Sequence, residues 1–133
     1  MAETILRGVS ALIGLLMIIM GLNWIIDPAG AAGQLGMPLL DGAGRSTQIG
    51  DLTAFFLGIG IMTLLGTWLR NVTWLQAAAL LLGGTAVFRT LAWALHGADF
   101  VADAVIVEVV STIVLLSAAA KFSQPSKVVV GES

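Results

Sequence analysis

With 133 residues the chain has room for one domain, and 58% hydrophobic against 11% charged residues is far from the roughly one quarter charged of soluble domains. A formal net charge of -2 from a few scattered groups leaves no basic surface for nucleic acid. The absence of cysteine excludes disulfides, thiolate-held metal, iron–sulfur clusters and covalent haem, and a lone histidine, His96, excludes bis-histidine haem held by this chain alone.

The first apolar run, residues 5–26, is long enough to cross a hydrocarbon core of about 30 Å as a helix. Arg7 near its start and Ala29-Gly30-Ala31 after it outline a signal peptide, but a cleaved apolar region is usually about 7 to 15 residues long, so the run is read as a span. Asn23 brings a polar side chain to its end beside Trp24, and Asp27-Pro28 closes it. The loop that follows, residues 27–48, holds five glycines and Pro38, with a short interfacial helix expected at residues 29–35. Within it, Gly42-Ala43-Gly44-Arg45-Ser46-Thr47 superficially resembles a phosphate loop but lacks the lysine and a preceding strand.

The second span is expected at residues 49–69. Asp51 shares a helical stripe with Thr47, Ala54, Phe55 and Gly58, a small-residue face suited to the bundle interior. Arg70-Asn71 marks a tight turn, and the glycosylation pattern Asn71-Val72-Thr73 falls in that turn, which the orientation below puts in the cytoplasm. The third span, residues 72–95, carries Thr85, Arg89, Trp93 and His96 on one stripe. The fourth, residues 100–120, groups Glu108 with Ala104, Val105, Ser111 and Thr112. None of the four runs alternates as a strand of a membrane barrel would. Small residues at Ser10, Gly14, Gly58, Gly66, Ala79 and Gly83 mark expected helix contacts. Residues 123–133 form a polar tail.

Depth links the third and fourth spans. Arg89 is seven residues before His96 and Glu108 nine after Asp99, about 10 and 13 Å from the connecting turn. An unpaired charge at that depth costs about 2.5 to 3.5 kcal/mol, so mutual pairing is expected. Asp99 and Asp103 are expected to be solvated acids at the outer interface; a metal site from His96, Asp99 and Asp103 would lack a second histidine. The candidate cluster is therefore Asp51, Arg89, Glu108, His96, Asn23 and Trp93, as ligand site or structural tie.

Alternating spans put Arg7, Arg70, Lys121 and Lys127 on one side, with Arg45 alone in the opposite loops. The positive-inside rule makes both termini cytoplasmic. Trp24 and Trp93 would close the outer ends of their spans, and Trp68 and Trp74 flank the inner turn, as an aromatic belt requires. Gly21-Leu22-Asn23-Trp24 and Thr90-Leu91-Ala92-Trp93 form a weak internal echo compatible with a repeat of two helix pairs. The expected fold is all-α: one domain, residues 1–122, forming an integral membrane bundle of four transmembrane helices.

Several segments carry a family resemblance: Asp27-Pro28 with Leu35-Gly36-Met37-Pro38, the opening of span two from Asp51 to Gly58, Gly83-Gly84 with Arg89, and Gly97 followed by Glu108. In these the chain resembles the DUF4345 family of small bacterial membrane proteins, within the wider DoxX-like four-helix group. The resemblance implies a four-helix bundle of the bacterial cytoplasmic (inner) membrane. Some DoxX-like proteins are accessory subunits of quinone-using membrane oxidoreductases, which makes that role an analogy for this chain.

The expected function is that of a small non-catalytic membrane protein with no cofactor of its own. It is an accessory subunit of a larger membrane complex or homo-oligomer, or a binder of a quinone or lipid, with the lipid bilayer as its surroundings. Two alternatives stand beside it: a small proton-coupled transporter using Asp51, Arg89 and Glu108, and a membrane enzyme with His96 or Glu108 as an outward-facing acid or base.

Overall fold

The computed structural model describes residues 1–125. Among these the fold is all-helical: α1 (Ala2–Ile26), α2 (Pro28–Gln34), α3 (Gly42–Trp68), α4 (Val72–His96) and α5 (Ala102–Phe122). All but α2 are long and apolar enough to cross a membrane. Lys127 and most of the polar tail lie outside the described residues.

Local chemistry sets most helix ends. Asp27 caps α2 by accepting from the Gly30 amide at 3.1 Å, with Pro28 in the first turn, where its missing N–H is no loss. A side chain at residue 30 would put its Cβ 2.2 Å from Asp27 Oδ2, so the cap requires glycine there. The expected interfacial helix is therefore present, shifted by one residue. At the other end of α3, Leu69 ends the helix, Arg70 adopts a left-handed φ of 52° and the Asn71 amide returns to the Gly66 carbonyl at 2.9 Å, a Schellman closure. Asn71 then caps α4 by accepting from the Thr73 and Trp74 amides, so three residues both stop one helix and start the next.

The second span begins earlier than expected, at Gly42, because residues 42–48 are helical rather than loop. Arg45 accounts for this: it donates to the Leu40 carbonyl at 2.7 Å and to the Asp41 carboxylate at 2.9 Å, tying the first turn to the segment before it. Gln48 completes the fastening. Buried, it accepts from the Leu40 amide at 2.9 Å and donates to the Pro38 carbonyl at 3.0 Å. Glycines in a first helical turn do not outweigh these bonds, since propensity is a weak prior against tertiary contacts.

The long helices form a ring in which α1 packs on α3 and α5, and α4 on α3 and α5, with α2 against α1. With short connections the order is up-down-up-down. One end carries the α3–α4 turn and is called the turn end here; the other carries α2 and the α4–α5 connection and is the loop end. At the turn end Arg70 forms an ion pair with Glu3 of α1 and lies 4.7 Å over the Phe122 ring of α5, joining three elements through one side chain.

Close approach of α1 and α3 rests on glycine. A Cβ on Gly60 would meet Ile18 Cγ1 at 2.6 Å and the Gly14 carbonyl at 2.8 Å, and one on Gly21 would meet Leu57 at 2.8 Å. Gly14, expected as a contact, does serve in this way; Gly66, also expected, packs instead against Leu75 of α4, and a Cβ on Gly58 would meet nothing within 4 Å. Many large apolar side chains face outward, Leu80, Phe88, Leu95 and Ile106 among them, the pattern of a surface with an apolar environment. Trp24 departs from the expected aromatic belt: it is 1% exposed, a core residue, while Trp68, Trp74 and Trp93 are exposed near helix ends. The echo between Gly21–Trp24 and Thr90–Trp93 therefore places its two tryptophans in opposite environments.

Gly60→Ile is expected to destabilise the bundle by about 1 to 3 kcal/mol through overpacking, whereas Gly58→Ala should leave stability unchanged or raise it by up to about 1 kcal/mol. Unfolding of the detergent-solubilised variants measures both, and equal effects would refute the assignment of the α1–α3 contact to Gly60.

A cavity with an ion pair in its wall

Between the middle of the bundle and its loop end lies a cavity of about 450 Å³, within the range of about 300 to 1,000 Å³ typical of small-molecule sites. Met17 and Met20 of α1, Leu52, Phe55 and Phe56 of α3, and Leu82 of α4 supply apolar wall, and Leu35 and Met37 roof it from the segment after α2. The roof is held down by the Gln48 bonds to Leu40 and Pro38, so a polar residue on α3 positions apolar residues over the cavity. Phe55 and Phe56 meet edge to face, centroids 5.4 Å apart, which fixes one face of the wall.

The polar part is compact. Arg89 Nε donates to Glu108 Oε1 at 2.8 Å, and both side chains line the cavity. Opposed depth on α4 and α5 makes the meeting possible, as the spacing from the connecting turn predicts. Glu108 is well buried, its side chain 13% exposed, and Arg89 is 33% exposed. Glu108 Oε2 is buried and has no hydrogen-bond partner among the described residues. The Arg89 Nη groups donate to no acceptor among the described residues. A charge-assisted bond of this length is strong, yet it uses one of five guanidinium donors and one of two carboxylate oxygens.

Neighbouring hydroxyls do not fill these vacancies. Thr85 and Thr112 bond back to the Leu81 and Glu108 carbonyls at 2.8 and 2.7 Å, the way a helix satisfies threonine in an apolar setting. Thr112 also sits against Gly83, where a Cβ would approach its methyl at 3.2 Å, so the expected Ala79/Gly83 contact is the one that lets α4 and α5 bring Arg89 and Glu108 together.

The structure distributes the expected cluster unevenly. Arg89 and Glu108 meet and face the cavity. Asp51 does not: it is exposed on α3 and lines no part of the cavity. Its stripe, read as interior because its residues are small, is turned outward around Ala54 and Gly50, and only Phe55 from that stripe reaches the wall. His96 is exposed at the end of α4, and Trp93 is 52% exposed and stacked at a tilt on Phe100, centroids 5.3 Å apart. Asn23 is partly buried but outside the cavity wall. Asp103, read as a solvated acid, is exposed and also lines the cavity mouth, where Oδ1 accepts from the Ala104 amide at 2.9 Å in the first turn of α5. No three metal-ligating side chains converge among the described residues.

Sequence reasoning missed the methionine and phenylalanine walls. Met17, Met20 and Met37 are spread over two elements, and nothing in their spacing announces a shared cavity; Phe55-Phe56 was visible as a pair but not as a wall. Compared with known proteins, the chain matches no protein-family model, no curated protein and no solved structure, so the site stands on its own geometry.

Removing one partner of the pair should cost more than replacing both. Arg89→Met or Glu108→Leu alone is expected to destabilise by about 2 to 3 kcal/mol, less than a fully buried pair because Arg89 is partly exposed. Arg89→Met with Glu108→Leu should come within about 1 kcal/mol of wild type. Thermal unfolding of all three in one detergent provides the double-mutant cycle, and additive losses would show that the two residues do not act as a pair.

Proposed function

We propose that the chain is a multi-pass protein of the bacterial cytoplasmic membrane that binds a membrane amphiphile, of quinone or lipid class, in the loop-end cavity and performs no reaction itself. The observation that carries this reading is a mostly apolar cavity whose polar lining includes an ion pair with an acceptor and donors unused among the described residues. A pocket of mostly apolar lining with a few convergent polar groups is the usual form of a small-molecule site. The methionine-rich wall suits a flexible apolar body, because thioether side chains adapt to irregular shapes.

Orientation is part of the proposal. Arg7, Arg70 and Lys121 lie toward the turn end, and Arg45 is the basic residue of the loop-end connections, which under the positive-inside rule puts the turn end in the cytoplasm and the cavity in the outer half. An accessory role in a larger membrane complex or homo-oligomer, and membership of the DUF4345 group, are compatible with a binder that has no redox centre of its own. A transport path through Asp51, Arg89 and Glu108 has less support, since Asp51 faces away from the other two.

Purification in a mild detergent followed by native mass spectrometry should show one small molecule bound per chain. Ala104→Phe, which adds a ring to the cavity wall, should remove it while the variant remains folded. Repeated recovery of wild type with nothing bound, including after incubation with a total lipid extract, would refute the reading.

A further inference from the structure

Beside the cavity, a groove of about 600 Å³ runs along the outside of the bundle between α3 and α4. Its floor is apolar, with Leu80, Leu81, Gly84 and Phe88 among its lining residues. Phe55, Thr85 and Arg89 line both this groove and the cavity. Arg89 thus stands where an external apolar channel meets an internal chamber, and its partial exposure follows from that position. A chain in the groove would lead a head group to Arg89 and Glu108.

What the head must be follows from the unused atoms. Among the described residues Glu108 Oε2 is a buried acceptor without a donor, and Arg89 has guanidinium donors without an acceptor. Water can meet neither need inside an apolar chamber without being held there, and an unmet buried group costs about 1 to 3 kcal/mol. The pair is itself neutral, so a formally charged head would be left uncompensated: an anion would face the Glu108 carboxylate and an ammonium the Arg89 guanidinium, with only the exposed Asp103 at the mouth to offset the latter. A hydroxyl both donates and accepts. A carbonyl or ether accepts alone.

Building on the amphiphile-binding reading, we propose that the site selects a single-tailed, uncharged amphiphile with a hydroxyl head, which donates to Glu108 Oε2 and accepts from Arg89 while its tail leaves through the α3–α4 groove into the bilayer. A phenolic or quinol hydroxyl and an alkyl alcohol share this chemistry, and the site distinguishes both from the oxidised or capped forms that have no O–H.

The test uses full-length protein in phosphatidylcholine nanodiscs with labelled hexadecanol as probe, competed by unlabelled hexadecanol, its methyl ether, hexadecylammonium and hexadecanoate; a quinol and its quinone, both of short tail, form a second matched pair. The ether is expected to compete about tenfold more weakly than the alcohol, the effect of one unmet buried acceptor, the quinone more weakly than the quinol, and both charged amphiphiles more weakly than the alcohol. Glu108→Gln replaces the free acceptor by an amide donor at nearly constant shape. In that variant the ether should match or exceed the alcohol, a reversal that a merely steric penalty for the extra methyl would not produce. Gly84→Trp, at a position where a Cβ meets nothing within 4 Å, should block the groove and abolish hexadecanol binding.

Equal competition by alcohol and ether in the wild type, tighter binding of either charged amphiphile, or an unchanged preference in Glu108→Gln would overturn the head-group assignment while leaving a binder in place. Undiminished binding in Gly84→Trp would overturn the path of the tail. If the labelled alcohol shows no saturable binding and no co-purifying molecule is found, the binder reading falls with the proposal.

Discussion

How near α1 comes to α3 sets the rest of the bundle. Gly14, Gly21 and Gly60 let the two backbones approach until the Gly14 carbonyl lies 2.8 Å from where a Gly60 Cβ would be. With leucine and phenylalanine spread over the outer surface, apolar burial offers little reason for the helices to associate in an apolar solvent; contact then depends on close packing of small residues. That contact is tight through the middle of the bundle, from Gly14 to Gly21 on α1. Toward the loop end the interior is filled instead by methionine and phenylalanine, and the cavity opens there.

The ion pair depends on a second close approach. Gly83 and Thr112 pack α4 against α5, and Arg89 and Glu108 meet one to two turns farther toward the loop end. Two charges at that depth stabilise the bundle less than they restrict it: each needs the other, so the relative register of α4 and α5 is constrained. The pair satisfies the charges but not every polar atom, and both residues border a cavity of about 450 Å³. The segment over the cavity is pinned by Gln48 rather than by packing between helices.

The turn end has the opposite character. Arg70 takes a left-handed conformation that costs a non-glycine residue about 1 kcal/mol, and from it reaches Glu3 and Phe122. One side chain thus joins three elements at the turn end, while a cavity lies toward the loop end.

The number of long helices, their approximate bounds, the short helix after Asp27 and the shared depth of Arg89 and Glu108 were all legible in the sequence, because hydropathy, glycine, proline and residue spacing act along the chain. The rotation of each helix about its axis was not. When the surroundings and the interior are both apolar, composition around a helix is nearly even and periodicity cannot tell which face turns inward. For that reason the small stripe of Asp51 was read as interior when it faces out, Trp24 as a boundary residue when it is core, and Gly58 as a contact when Gly60 serves. The start of α3 was missed for a related reason, since its fastening runs from Arg45 and Gln48 to backbone carbonyls and amides that no pattern of side chains marks. The sequence by itself determined that there would be four spanning-length helices with a buried charge pair; only the tertiary structure decided that the pair borders a cavity, because that depends on which helix faces converge and how closely glycine lets them do so.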